Sequence, residues 1–295
     1  MKVEANGIQI EVDDQGPREG PVVLLIMGLG MQLIAWPQPL VQMLVDRGFR
    51  VVRFDNRDMG LSQDFDAAGV PNMAMAALRY AMHLPVKSPY SLADMAQDAV
   101  GVLDALGIRK AHVCGASMGG MIAQHLAAMA PERVASLTLM MTTSGARRLP
   151  QPSWQVRRVL MSRPMRPGTV AAVEWIGHVL SVIGSPAFPM DPPTLQARAL
   201  ASVQRAWHPA GSARQLLAIV ADGDRSALLP RIQAPTLVIH GVDDPLVPLA
   251  CGEDLARRIA GARTDFIRGM GHDLPEALLE RFAQGIADLS TRAAA

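Results

Sequence analysis

Apolar runs alternate with stretches of helical spacing along most of the chain. Val22–Met27 is a continuous apolar run, the pattern of a strand buried on both faces. Arg50–Phe54, Ala111–Cys114 and Val134–Met140 read as further strands. Between them lie segments with helical periodicity. Leu40–Asp46 is one, ending at Gly48. A second opens at Ser91, a side chain suited to an N-cap, with Asp94 three residues on, and runs to Leu106 before Gly107 stops it. Met118–Ala130 is a third. At the start, Val3–Val12 alternates around Asn6-Gly7 and predicts a hairpin. After a long irregular middle the alternation resumes: Thr236–His240 as strand, Cys251–Ile259 as helix, Thr264–Ile267 as strand and Pro275–Leu289 as a last helix.

This order predicts an α/β architecture, a mostly parallel sheet with right-handed crossovers and helices on its faces. The rhythm breaks between Ser144 and Ser226, where prolines recur at 150, 152, 164, 167, 186, 189, 192 and 193. Helical pieces such as Val170–Leu180 and Leu195–Trp207 appear there without intervening strands. The expected division is a core from 1–143 and 227–295, with 144–226 inserted as a helical lid over one sheet edge.

Ligands of such sheets bind beyond the carboxyl ends of the strands, and the chemically suggestive residues fall at those ends. Gly115-Ala-Ser-Met-Gly119 sits where a strand turns into a helix. There G-x-S-x-G places a serine on a sharp, strained turn with its hydroxyl exposed, so Ser117 is the candidate nucleophile. A serine hydroxyl needs a base, and His272, in Gly269-Met-Gly-His after the last strand, is the best placed of seven histidines. The imidazole needs a carboxylate to fix its tautomer. Asp243 and Asp244 compete; Pro245 biases the residue before it toward extended backbone, which favours Asp244. The oxyanion of an acyl-transfer intermediate needs two N–H donors. Met118, after the nucleophile, supplies one, and Leu29, in Met27-Gly-Leu-Gly30, is the candidate for the other.

The chain order Ser117, Asp244, His272 is that of an α/β-hydrolase. With Met27–Gly30, Asp55–Ser62, the elbow with Gly120, His240–Pro248 and Gly271-His272, the chain resembles that superfamily over essentially its whole length. The block at 55–62 and the early strand ending in Met-Gly resemble its aclacinomycin methylesterase-like branch. Many members have His-Gly at the oxyanion loop where this chain has Met27-Gly28. Dehalogenases and epoxide hydrolases of this fold carry an elbow aspartate where this chain has Ser117. The resemblance implies a serine carboxylesterase acting through an acyl-enzyme on hydrophobic small-molecule esters, conceivably a methyl ester of a polycyclic acid. Lactone, amide or carbon–carbon bond hydrolysis and perhydrolysis use the same triad, and a non-catalytic ligand receptor is the reading from another class.

Other polar groups read as structural. Asp55, Arg57 and Asp58 predict an Arg–carboxylate network holding their loop. His240, His112 and His125 read as packed or hydrogen-bonded, while His83 and His208 are lesser candidates to line a pocket. Trp36, Trp175 and Trp207 are the pocket candidates; Trp154 and the lid methionines join the latter two in either a pocket or the lid's own small core.

Composition narrows the picture. Of 295 residues 49% are apolar, enough for a large core, and the net charge of +1 with no basic block argues against a nucleic-acid partner. Cys114 and Cys251 have no metal-ligand or C-x-x-C spacing. No metal, cofactor or disulfide is expected. The N-terminus lacks a charged-then-apolar leader and no run approaches a membrane span, so the expected location is the cytoplasm.

Overall fold

The computed structural model describes residues 1–160, 162, 166 and 168–294. The prolines at 164 and 167 lie outside these. Among the described residues, eight strands form one sheet in the order β1-β2-β4-β3-β5-β6-β7-β8. β1 (Lys2–Ala5) and β2 (Ile8–Gln15) make the hairpin, turning on Asn6 (φ 51°) and Gly7 (φ 75°). Two successive positive φ values are what a two-residue primed turn requires. β2 pairs antiparallel with β4 (Arg50–Phe54). From β4 onward every pairing is parallel, through β3 (Val22–Ile26), β5 (Ala111–Ala116), β6 (Val134–Met140), β7 (Thr236–Gly241) and β8 (Arg263–Ile267).

The strand pleat divides the core in two. Leu24 and Ile26 point to a cluster with α3 (Leu92–Ala105) and α4 (Met118–Met129). Val23 and Leu25 point to the opposite cluster with α1 (Gln38–Asp46) and the last helix, α10 (Leu279–Ala294). Side chains alternate across a strand, so a strand covered on both faces must be apolar throughout. All five residues of β3 are buried.

Most predicted boundaries fall within two residues. The capping box at Ser91 is formed reciprocally with Asp94. The last helix differs: Glu276–Leu278 after Pro275 is a 3₁₀ turn, and α10 begins at Leu279 and runs beyond Leu289 to Ala294. Between β4 and α3 lies α2 (Met73–Ala81), which the sequence reading did not find. Between β6 and β7 there are α5 (Trp154–Leu160), α6 (Thr169–Ile183), α7 (Pro192–Arg205) and α8 (Pro209–Asp222). α6 extends the expected Val170–Leu180 piece, α7 starts three residues before the expected Leu195–Trp207 piece and ends two before it, and α8 joins the larger core cluster through Ala218. α9 (Leu249–Arg258) separates β7 from β8. No described helix is long and apolar enough to cross a membrane.

Candidate active site

β5 ends at Ala116 and α4 starts at Met118, leaving Ser117 as the whole turn. Its backbone has φ 55° and ψ −120°, a region costly for any residue with a Cβ. Absent side chains around it make the turn possible. A Cβ on Gly119 would lie 2.0 Å from the Ile26 carbonyl oxygen, and one on Gly28 would lie 3.1 Å from the Ser117 Cβ. The turn is further pinned by Ser117 N–H to the Met140 carbonyl (2.9 Å) and by the Thr142 hydroxyl to the Ser117 carbonyl (2.7 Å).

His272 reaches the same point from the loop after β8. Its Nε2 is 3.0 Å from Ser117 Oγ, and its Nδ1 is 2.8 Å from Asp244 Oδ2. A carboxylate only accepts hydrogen bonds, so Nδ1 carries the proton and Nε2 offers its lone pair to the serine hydroxyl. Asp244 Oδ1 accepts from the Leu246 and Val247 N–H groups at 2.9 and 2.8 Å, so both carboxylate oxygens are satisfied although the side chain is wholly buried. Asp243 is exposed and accepts instead from the Gly269 N–H at 2.7 Å, closing the neighbouring turn.

A second imidazole lies near this carboxylate. His240 Nε2 donates to the Val247 carbonyl at 2.8 Å and stands 3.9 Å from Asp244 Oδ2. Burial pushes the His240 pKa down. His272 is held by its own backbone as well, its N–H donating to the Ile183 carbonyl at 2.7 Å.

Among the described residues, no hydrogen bond engages the N–H of Leu29 or of Met118. Met118 opens α4, where helix N–H groups lack intrahelical partners. Gly28, the residue before Leu29, packs on the turn: a Cβ on it would lie 3.1 Å from the Ser117 Cβ and 3.6 Å from its Oγ. Asn56 Nδ2 donates to the Met27 carbonyl at 2.8 Å, tying the start of this loop to the segment after β4. Asn56 lies within the 55–62 block, and nothing local in the sequence marks it for this role.

Of the tryptophans, Trp36 corrects the expectation. It has no exposed surface and packs in the cluster of α1 and α10, so it belongs to the core and not to a pocket wall. Its place shortly after the Met27–Gly30 loop pointed to a pocket, but a strand-end position serves a core indole as well. Trp175 and Trp207 meet edge to face with centroids 6.2 Å apart, and Trp207 remains 39% exposed. The Trp175 indole N–H donates to Ser162 Oγ at 2.9 Å.

The charged loop differs in detail from the expected internal network. Arg57 pairs with Asp98 on α3 through two 2.6 Å bonds. Asp58 is held by Arg214 of α8 at 2.6 and 2.7 Å and by the Tyr90 hydroxyl at 2.8 Å. Asp55 accepts from Arg205 of α7 and from the Leu33 N–H, each at 2.7 Å. Their charged partners lie 41 to 156 residues away, so spacing could not reveal them. His112 bonds Ser136, His125 bonds Asp222 and His208 bonds the Gly60 carbonyl. His83 contacts Arg147. Both cysteines are free and buried. No group of three or more His, Cys, Asp or Glu side chains among the described residues is arranged to hold a metal.

A family model described as the alpha/beta hydrolase fold matches residues 21–172. The chain is 32% identical to rhodomycin D methylesterase DauP of Streptomyces sp. (strain C5), over 94% of this chain and 93% of that protein. It is 30% identical to rhodomycin D methylesterase DnrP of Streptomyces peucetius, with the same coverage. Among solved structures it superposes on the enol-lactonase from Burkholderia xenovorans LB400 with a TM-score of 0.75 and 26% identity, covering 99% of this chain and 100% of that one.

Proposed function

The chain belongs to the α/β-hydrolase fold family, and from that premise we propose that it hydrolyses carboxylic esters with Ser117 as nucleophile, His272 as base and Asp244 as the carboxylate behind it. The observation that carries this reading is the unbroken relay Ser117–His272–Asp244, with links of 3.0 and 2.8 Å. Ser117 Oγ attacks the acyl carbon while its proton moves to His272 Nε2. The imidazolium is stabilised by Asp244, and the oxyanion is received by the N–H groups of Leu29 and Met118. Collapse expels the alcohol, which takes the proton from Nε2. Water, deprotonated by the same nitrogen, then attacks the acyl-enzyme; as that intermediate collapses the acid is released and the Ser117 oxygen leaves with the proton from Nε2.

Segment 144–226, with the Trp175–Trp207 pair, is proposed as the cap over this centre. Aromatic surface in such a cap fits a hydrophobic acid or alcohol part of the ester. The likeness to two methylesterases supports a methyl ester as the leaving side. The likeness to an enol-lactonase supports a lactone as second reading, since the same relay opens a cyclic ester.

The test compares the parent protein with Ser117→Ala on p-nitrophenyl butyrate and on methyl esters of aromatic acids. The expected loss in kcat is about 10⁴-fold or more. Equal turnover by both proteins overturns the proposal.

A further inference from the structure

We propose that Gln215, on α8, is a positioning residue for the oxyanion loop. Through it the segment between β6 and β7 sets the aim of the Leu29 N–H. The inference rests on the ester-hydrolase reading above and adds to it a group that does not touch the reacting atoms.

The loop after β3 must present a backbone N–H at a fixed point, and a glycine-rich loop does not hold itself. Here Met27-Gly28-Leu29-Gly30 is restrained on both sides of Leu29. On one side, Asn56 Nδ2 holds the Met27 carbonyl. On the other, the Gly30 N–H donates to Gln215 Oε1 at 2.9 Å. The amide of Gln215 is itself fixed, since its Nε2 donates to the Arg57 carbonyl at 2.9 Å. Gln215 has no exposed surface, so water does not replace these bonds cheaply.

α8 is seated firmly enough to serve as the reference. Its neighbouring Arg214 is clamped on Asp58, and a Cβ on Gly211 would lie 2.1 Å from the Asp58 carbonyl oxygen. Ser212 Oγ would lie 3.1 Å from a Cβ on Gly30. The next stretch of the loop is tied to α7 in the same way. Arg205 bonds both Gln32 Oε1 and Asp55 Oδ2 at 2.7 Å, while Asp55 Oδ1 takes the Leu33 N–H. Side chains from the helices between β6 and β7 therefore hold this loop. A donor misplaced by a fraction of an ångström weakens binding of the oxyanion far more than binding of the planar ester.

The experiment uses Gln215→Met, which keeps the bulk and removes both bonds, and Gln215→Glu, which keeps an acceptor for Gly30 in either protonation state. Two readouts accompany kcat and KM on p-nitrophenyl butyrate. One is the affinity for an alkyl trifluoromethyl ketone, which adds the serine oxygen and becomes an oxyanion. The other is the affinity for the matching methyl ketone, which stays planar. For Gln215→Met, kcat is expected to fall by about 10- to 100-fold with KM within about threefold. Affinity for the trifluoromethyl ketone should fall in step, and that for the methyl ketone should hold. Gln215→Glu is expected to retain the larger share of both, and thermal melting shows that each variant is folded. A folded Gln215→Met with kcat and fluoroketone affinity within about twofold of the parent overturns the inference. So does a loss in which both ketones weaken equally, which marks a merely structural residue. Ser117→Ala in the same series separates the two claims: if it is inactive while Gln215→Met is normal, only the positioning claim falls.

Discussion

At the residue scale, the chain must choose between two adjacent aspartates, and geometry makes the choice. Asp244 is buried with both oxygens engaged, one of them by His272, whereas Asp243 is exposed and closes a turn on Gly269. Asp244→Asn removes the acceptor that selects the Nδ1–H tautomer. It is expected to lower kcat by about 10³- to 10⁴-fold with little change in KM. Asp243→Asn is expected to stay within about threefold, because the amide oxygen still accepts from Gly269. Steady-state kinetics of the two variants check this, and a collapse confined to Asp243→Asn would reverse the assignment. Pro245 pointed to Asp244 from sequence for a local reason, its restriction of the preceding backbone. Trp36 shows the limit of such reasoning, because nothing local tells a core indole from a pocket indole.

At the element scale, the elements with strong local signals were legible. α3 was readable at both ends, from Ser91 and Asp94 at one and Gly107 at the other. The strands of the parallel sheet were readable because burial on both faces leaves no polar alternation. α10 was misread at its start because Pro275 suits a 3₁₀ turn as well as a helix. α2, α5 and α8 were missed. α2 carries exposed Met75, Leu78 and Tyr80, so its apolar residues do not trace one buried face. The seating of α8 is invisible locally because it depends on Arg214 meeting Asp58. Burial opposes the Asp58 charge, but Arg214, the Phe65 N–H and the Tyr90 hydroxyl outweigh it and hold the carboxyl below its usual pKa. A carboxyl depressed in the folded state stabilises fully above its unfolded value, about 3.9, and loses that contribution as pH falls through the folded value. Arg214→Met is expected to cost about 3–5 kcal/mol at neutral pH by stranding Asp58. It should also flatten the loss of stability below about pH 4 that Asp58 contributes. Urea unfolding across pH measures both, and a variant within about 1 kcal/mol of the parent would contradict the clamp.

At the scale of the whole molecule, three distant segments converge at one end of the sheet. β5 delivers Ser117, the loop after β7 delivers Asp244, and the loop after β8 delivers His272. That convergence was legible because each segment carries its own turn signal: the elbow glycines, Asp-Pro after a strand, and Gly-His after the last strand. The hold on the oxyanion loop was not, since Asn56, Gln215 and Arg205 meet it only in the folded chain. The claim that depends on all of this is that one serine among the chain's hydroxyls is chemically activated. Reaction with diethyl p-nitrophenyl phosphate, followed by intact-mass and peptide mass spectrometry, tests it directly. The account expects one diethylphosphoryl group on Ser117 per inactivated molecule, with none on Ser117→Ala and slow labelling in His272→Ala. Inactivation with the label on another residue, or with Ser117 unmodified, would contradict it.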